Sequence, residues 1–194
     1  MTLVAGALCL CGSVSLPYWE MSLDAKQYQR PLSVVAYPDR ITGDISEIDL
    51  LNHYIGMRSL KEAASFERSA SVYLMIAMVL MVEVAAFVHS KWAVLLAIPV
   101  IGFPVGFLVD LYFWMRHFGL NLDPHAPLSN SVKPFVPTVL GEGGIGQFKT
   151  YAELGTGYWL AVASGAFIIV GFFFHRRAYR PLAMASTQNL KAAA

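Results

Sequence analysis

Residues 69–110, SASVYLMIAMVLMVEVAAFVHSKWAVLLAIPVIGFPVGFLVD, contain two long apolar runs that are joined by a short polar link. No charged side chain occurs at 69–82 or at 92–109. A helix needs about 20 mostly apolar residues to cross a hydrocarbon core that is about 30 Å thick. The stretch therefore predicts two neighbouring transmembrane helices, the first of which contains Glu83.

Two further charge-free windows, at 1–19 and 154–175, flank this stretch at a distance. Only 14% of the chain is charged, whereas soluble domains average about 25%. We therefore expect an all-α membrane protein that forms one domain over residues 1–194. Its four transmembrane helices are predicted at about residues 1–18, 69–89, 92–115 and 155–175.

The first apolar window has no basic segment before it and no clear cleavage site, so we interpret it as an uncleaved helix rather than a signal peptide. The window contains both cysteines, Cys9 and Cys11. Residues two apart point to different sides of a helix, so we expect no disulfide between them. We interpret both as small apolar side chains.

Basic residues near the helix ends predict the orientation of the bundle. The densest basic cluster, HRRAYR at 175–180, follows the fourth helix, and the polar link HSK at 89–91 also carries a lysine. Because basic residues favour the cytoplasmic side, we expect both segments, the tail at 176–194 and both termini to lie there. The loops at 19–68 and 116–153 then share the extracytoplasmic face.

Tryptophans are expected to anchor the predicted helices in the membrane, because indole rings concentrate at headgroup level. All four fall near predicted helix ends: Trp19, Trp92, Trp114 and Trp159.

The two loops differ in composition, and we expect them to pack together as a small cap. In the first loop, residues 32–37 could form a strand, Ser46 could cap a helix, and residues 60–68 have a mixed-charge helical pattern that could run into the second helix. The second loop holds four prolines followed by GEGGIG at 141–146, a composition that favours extended, irregular backbone.

Three histidines, His53, His117 and His125, lie in or beside the predicted extracytoplasmic loops. His53 and Met57 are four residues apart and would share one helix face. Imidazole with thioether is a ligand set that suits copper, especially Cu(I), so we consider these four residues candidate metal ligands. In the alternative interpretation they join the two loops by hydrogen bonds, or contact haem or a substrate.

Two acidic residues, Glu83 and Asp110, lie within the predicted spans. A charge at the bilayer centre costs at least about 2.5 kcal/mol, so Glu83 should be neutral, paired or turned towards protein. A proton or ion relay is the functional interpretation of these intramembrane groups, and a hydrogen bond between helices or to a partner subunit is the structural one. Asp110 could pair with Arg116 near the surface.

Small residues recur along the fourth helix between 155 and 171. Such residues let helices approach closely, so this face should pack within the bundle or against another subunit. Met75, Met78 and Met81 follow each other along the second helix at three-residue spacing. We interpret them as packing side chains rather than as a copper track.

Several function classes have no support in the sequence. The net charge is +1 without a basic tract, so nucleic acid is not an expected partner. The GEGGIG segment lacks the Gly-Lys-Ser/Thr ending of a P-loop, and no nucleophile elbow, zinc-hydrolase motif or haem-attachment motif occurs. We therefore expect no catalytic residues.

Three segments, WEMSLDAKQY at 19–28, LLNHYIGM at 50–57 and NLDPHAP at 121–127, resemble small bacterial membrane proteins of poorly known function. That family is associated with gene neighbourhoods for copper respiratory enzymes, notably those for nitrous oxide reductase maturation. The resemblance covers most of residues 17–160. It implies an accessory role in copper supply or assembly at the bacterial inner membrane, with candidate ligands His53, Met57 and His125.

Two functions are therefore expected. The first is a non-catalytic integral membrane accessory protein that binds or passes copper on the extracytoplasmic face during assembly of a copper respiratory enzyme. The alternative is a structural subunit of a multi-subunit membrane energy-converting complex. Both have the lipid bilayer and other membrane proteins as partners. An ion transporter or enzyme would need Glu83 to act, and four helices without inverted repeats favour it less.

Overall fold

The computed structural model describes residues 1–88, 91–145 and 148–192. Within these ranges the helices are α1 (Thr2–Ser13), α2 (Ile45–Ile55), α3 (Ser65–Phe87), α4 (Ile98–Leu120) and α5 (Thr156–Ala192), and the strands are β1 (Trp19–Asp24), β2 (Leu32–Ala36), β3 (Ile41–Gly43), β4 (Gly141–Ile145) and β5 (Phe148–Leu154). The strands occur in two groups, three between α1 and α2 and two between α4 and α5. Three residues of the predicted features, His89 and Ser90 of the polar link and Gly146 of GEGGIG, lie outside the described ranges.

Three helical segments of the described chain are long and apolar enough to span a membrane: Leu60–Phe87, Trp92–Leu120 and Thr156–His175. They correspond to the second, third and fourth predicted helices. The fourth span that we predicted, at 1–18, is occupied by α1, which is apolar but only 12 residues long. At 1.5 Å per residue α1 covers about 18 Å, which is less than the hydrocarbon core. The helix predicted at 155–175 continues to Ala192, so the predicted tail is helical over 176–192.

The prediction of an all-α fold is wrong, because the loops between the helices form a five-stranded antiparallel sheet with the order β3-β2-β1-β5-β4. The first loop supplies β1, β2 and β3, and the second supplies β4 and β5. The loops meet where β1 pairs with β5, with Trp19 opposite Leu154. The expected contact between the two loops therefore exists. The second loop, which we predicted to be irregular, forms the regular strands β4 and β5. We call the five strands and α2 together the cap.

Alternating burial explains why the central strands form. In β1, Trp19, Met21 and Leu23 are buried while the residues between them are more exposed, which is the period of a half-buried strand. The buried face packs on Ile48 of α2 and Met115 of α4. Trp19 is consequently not the interfacial anchor that we predicted. It is 3% exposed in the core of the cap, and its Nε1 donates to the carbonyl oxygen of Val139 at 2.7 Å.

The first loop departs from the prediction at two helix starts. The helix expected from Ser46 begins at Ile45, with Asp44 as the N-cap residue. The helical stretch expected at 60–68 is interrupted at Ala64. This residue has a φ of 49° and directly precedes the start of α3. Asp49 of α2 explains part of the interruption, because its carboxylate accepts the backbone N–H of Leu60 at 2.7 Å and so ties this segment to the cap.

The bundle core contains side chains from α1, α3, α4 and α5. Met75 and Met78 are 2% and 6% exposed there, which confirms that they pack inside the bundle. A Cβ added to Gly171 of α5 would lie 2.7 Å from a side-chain carbon of Leu3 in α1. The small residues of α5 therefore pack within the chain, the first of the two predicted alternatives.

Tyr18 joins the bundle to the cap. Its N–H donates to the carbonyl oxygen of Ala36 at 2.8 Å, and its carbonyl oxygen accepts the N–H of Gly155 at 3.0 Å. Its ring is fully buried and lies 5.0 Å from that of Phe107, centre to centre. The Tyr18 hydroxyl and the Oγ of Ser13 are hydrogen-bonded at 2.7 Å. These contacts fix the sheet at one end of the membrane helices.

Candidate metal site at the end of α2

The predicted pairing of His53 and Met57 on one helix face does not occur, because α2 ends at Ile55. Gly56 caps the helix with a φ of 81°, in the left-handed region, and the chain leaves the helix before it reaches Met57. Met57 is 9% exposed and packs against Phe118 of α4. A glycine at this position is a common helix C-cap, and it separates the thioether from the imidazole.

The second loop docks on the same glycine, Gly56. The N–H of Asp123 donates to the carbonyl oxygen of Gly56 at 2.8 Å, and the N–H of Leu128 donates to that of Tyr54 at 2.9 Å. A Cβ on Gly56 would lie 2.6 Å from the carbonyl oxygen of Asp123. Segment 123–128 therefore sits directly on the C-terminal turn of α2.

This contact places Asp123 and His125 beside the C-terminal turn of α2, which carries His53. The Oδ1 of Asp123 accepts the backbone N–H of His125 at 2.9 Å and lies 3.3 Å from Nδ1 of the same residue. The backbone N–H of His125, with further contributions from its ring and from the charge of His53, holds the pKa of the Asp123 carboxyl below its usual range. The His125 side chain is 91% exposed, so this cluster faces outward.

His117 has different neighbours. Its ring stacks on that of Phe113, with centres 5.9 Å apart and planes 9° from parallel. Its Nδ1 lies 3.2 Å from Nδ2 of Asn121. Over the described residues, no three side chains of the types His, Cys, Asp and Glu are arranged to hold a metal ion. The four predicted ligands are thus not brought together as one set. His125 contacts Asp123, and this segment docks on the turn of α2 that carries His53.

Asp123 is the residue of this cluster that we did not single out. The sequence Asp123-Pro124-His125 carries the signal, because an aspartate followed by proline commonly accepts a hydrogen bond from the backbone two residues on. The position of His53 beside it depends on the docking of two segments that are far apart in sequence.

The intramembrane acids occupy separate places. Glu83 is half-buried on α3. Asp110 is half-buried on α4 and lines the same cavity as Glu67 at the start of α3 and Trp114. The expected pair between Asp110 and Arg116 is not among the ion pairs of the described residues. The reason is helical geometry, since residues six apart lie about 9 Å apart along the helix axis and about 120° apart around it.

The comparisons with known proteins do not add a family to this description. No protein-family model matches the chain, and no curated protein matches it closely enough to count as a relative.

Proposed function

We propose that this chain is a non-catalytic accessory protein of the bacterial inner membrane that binds or passes copper on the extracytoplasmic face during assembly of a copper respiratory enzyme. The observation that supports it is the docking of segment 123–128, which contains His125, on the C-terminal turn of α2, which carries His53. Two exposed imidazoles suit Cu(I), because copper binds imidazole nitrogen well. A carboxylate that hydrogen-bonds a ligand imidazole orients the ring.

This proposal changes the ligand set expected from the sequence. Met57 is buried against Phe118, and His117 is engaged with Phe113 and Asn121. The proposed set is therefore His53 and His125, with Asp123 as the residue that orients His125.

The proposed orientation has the cap outside the cytoplasm. The helices reach the cap at the end of α4 and the start of α5, while the basic cluster at 175–177 lies 20 residues further along α5. Twenty helical residues cover about 30 Å, the thickness of a hydrocarbon core. Basic residues favour the cytoplasmic side, which supports an extracytoplasmic cap.

The test is an anaerobic Cu(I) titration of the full chain in mild detergent, with a chromogenic Cu(I) chelator as competitor. We expect about one Cu(I) per chain. The double variant His53→Gln/His125→Gln should lose this binding, and Asp123→Asn should weaken it by about tenfold. Two single variants, His117→Gln and Met57→Leu, serve as matched controls and should bind like the wild type.

Two results would contradict the copper proposal. One is a wild-type chain that does not compete with the chelator for Cu(I). The other is a double histidine variant that retains wild-type affinity while its unfolding temperature is unchanged.

A structural subunit of a membrane energy-converting complex is the second candidate, and a surface feature supports it. Leu50, Tyr54 and Leu128 are 53%, 46% and 44% exposed on the outer side of the cap, and Tyr54 and Leu128 share a cavity of about 320 Å³. We call these three residues the apolar patch. The patch borders the histidine cluster, so one partner could dock on it and receive the metal.

Mild solubilisation separates the two candidates. A subunit should co-purify with a stable set of respiratory-chain proteins, and Leu50→Ser/Leu128→Ser should release them. A lone monodisperse monomer would argue against the subunit role and leave the copper titration as the deciding measurement.

A further inference from the structure

A groove on the side of the molecule separates the cap from the membrane helices. It has a volume of about 310 Å³ and lies between β2, the start of α3 and the middle of α4. Its walls are largely apolar, with Leu74, Phe103 and Phe107 among them. It shares no residue with the cluster of His53, Asp123 and His125.

Charged side chains of both signs line one end of this groove: Glu67, Arg68 and Asp110. The guanidinium of Arg68 donates to the carbonyl oxygens of Lys61 and Ala63, at 2.6 and 2.9 Å. Among the ion pairs of the described residues, none includes any of these three. The groove therefore presents one cation and two anions that do not neutralise each other.

The bounds of the charge-free runs indicate how deep these charged side chains lie in the membrane. On α3 the charge-free run begins just after Arg68, and on α4 it ends just before Asp110. The charged end of the groove thus lies where the hydrocarbon core gives way to the headgroup region, while its apolar walls continue inward. Such a groove matches an amphiphile that lies parallel to the helices, with its head at the charged end.

The charges identify the head. Glu67 and Asp110 both line this groove, so a cation is favoured there, and N–H donors of a cation form strong hydrogen bonds with carboxylates. The aromatic walls, including Trp114, also attract a cation. Arg68 is suited to a phosphate, because guanidinium groups bind phosphate oxygens well.

We propose that this groove is a binding site for one phospholipid with a primary ammonium headgroup, of the phosphatidylethanolamine type. Its ammonium lies between Glu67 and Asp110, its phosphate lies against Arg68, and one acyl chain follows the apolar wall. A phosphatidylglycerol headgroup lacks the cation, and a choline headgroup has no N–H to donate.

Gly106 provides a matched pair of variants. A Cβ at Gly106, which lines the groove, has no heavy atom within 4 Å, and the same holds at Gly102, which does not line it. Both glycines are exposed and lie one helical turn apart on α4. Gly106→Leu fills the groove, and Gly102→Leu makes the same substitution outside it.

The test is native mass spectrometry of the full chain in mild detergent, with phosphatidylethanolamine, phosphatidylcholine or phosphatidylglycerol added at equal concentration. We expect one molecule of phosphatidylethanolamine to bind per chain, about tenfold tighter than the other two. Gly106→Leu and Asp110→Asn should each reduce this binding by about tenfold, and Gly102→Leu should not. Unfolding temperature is recorded for every variant.

Equal binding of the three lipids overturns the proposal, as does wild-type binding by Gly106→Leu. If Gly106→Leu does not fold, Asp110→Asn decides: retention of the preference for phosphatidylethanolamine overturns the proposal. Co-purification of a quinone that phosphatidylethanolamine does not displace also overturns it.

Discussion

The Oγ of Ser164 in α5 donates a hydrogen bond to the carbonyl oxygen of Gly6 in α1 at 2.7 Å, in the interior of the bundle. A Cβ added to Gly6 would lie 2.7 Å from Cγ1 of Ile168 and 3.1 Å from the carbonyl oxygen of Ser164. The two helices therefore approach as closely as a glycine allows, and the short helix α1 is held along α5 by this contact.

Gly6→Ala is expected to destabilise the bundle. The added methyl group forces the side chain of Ile168 or the helix to move, and overpacking of this kind costs about 1–3 kcal/mol. Thermal unfolding in detergent, followed by circular dichroism, measures the change. Gly12→Ala in the same helix is the control, because its Cβ would lie 3.6 Å from Leu160, an ordinary contact. Equal effects of the two variants would show that α1 is not closely packed at Gly6.

Tyr18 should make the protein sensitive to alkaline pH. Burial raises the pKa of its hydroxyl from 10.0 to about 12, although the hydrogen bond with Ser13 acts in the opposite direction. Between these two values the unfolded chain loses the proton and the folded chain keeps it, so stability falls as pH rises. The rise in the pKa of Tyr18 from 10.0 to about 12 corresponds to a loss of at most about 2.7 kcal/mol in the free energy of unfolding.

The measurement for Tyr18 is the free energy of unfolding at pH 9, 10 and 11. Tyr18→Phe should flatten the alkaline loss, and at pH 8 it should cost about 1 kcal/mol for the lost hydrogen bond to Ser13. Tyr151→Phe is the control, because this tyrosine is 51% exposed. If Tyr18→Phe and the wild type lose stability in parallel, the hydroxyl is not buried as described.

Long charge-free apolar runs at 69–82, 92–109 and 154–175 were enough to locate the three long helices. The sheet was missed although every second residue of β1 is buried and those between are more exposed. The alternation in WEMSLD and FKTYAEL spans only six and seven residues, and the two strands pair across more than 100 residues of intervening chain. So short an alternating run forms a strand only when a partner strand pairs with it, and the sequence does not reveal that partner.

The candidate site illustrates the same limit on a smaller scale. The spacing of His53 and Met57 predicts a shared face only if the helix continues, and Gly56 ends it. His125 was selected for its residue type, and its position beside His53 follows from the two backbone hydrogen bonds that dock segment 123–128 on α2. Local chemistry could be predicted here, whereas the contact between the loops could not.

Asp44 is expected to contribute to stability at neutral pH and to lose this contribution in acid. Its carboxylate pairs with the guanidinium of Arg30 at 2.7 and 2.9 Å and accepts the N–H of Ser33 at 2.9 Å. These contacts, that with Arg30 foremost, hold the pKa of Asp44 below its usual range. Because the unfolded chain takes up the proton first, stability falls as pH drops through about 4.

The check on Asp44 is a comparison of unfolding temperatures at pH 7 and pH 3. Asp44→Asn should be less stable than the wild type at pH 7, and the difference should shrink at pH 3. The control is Asp24→Asn, since Asp24 is exposed at the end of β1 and belongs to none of the ion pairs of the described residues. A difference that stays constant between the two pH values would contradict the assignment.

Gly56 and Gly141 allow the docking of the second loop to be tested apart from backbone strain. Both have left-handed φ angles, 81° and 82°, but a Cβ at Gly56 would lie 2.6 and 2.8 Å from the carbonyl oxygen and the nitrogen of Asp123, whereas at Gly141 nothing lies within 4 Å. Alanine at either position should destabilise the protein by about 1–2 kcal/mol, because a left-handed φ is unfavourable for a residue with a Cβ. Only Gly56→Ala also pushes segment 123–128 away from α2.

Hydrogen exchange detects this difference directly, because the amides of Asp123 and Leu128 donate to carbonyl oxygens of α2. In Gly56→Ala both amides should exchange faster than in the wild type, and the Cu(I) affinity of the cluster should fall with them. In Gly141→Ala both amides should keep their protection even though the variant is destabilised. Unchanged protection in Gly56→Ala would mean that the docking of segment 123–128 on α2 does not depend on this glycine.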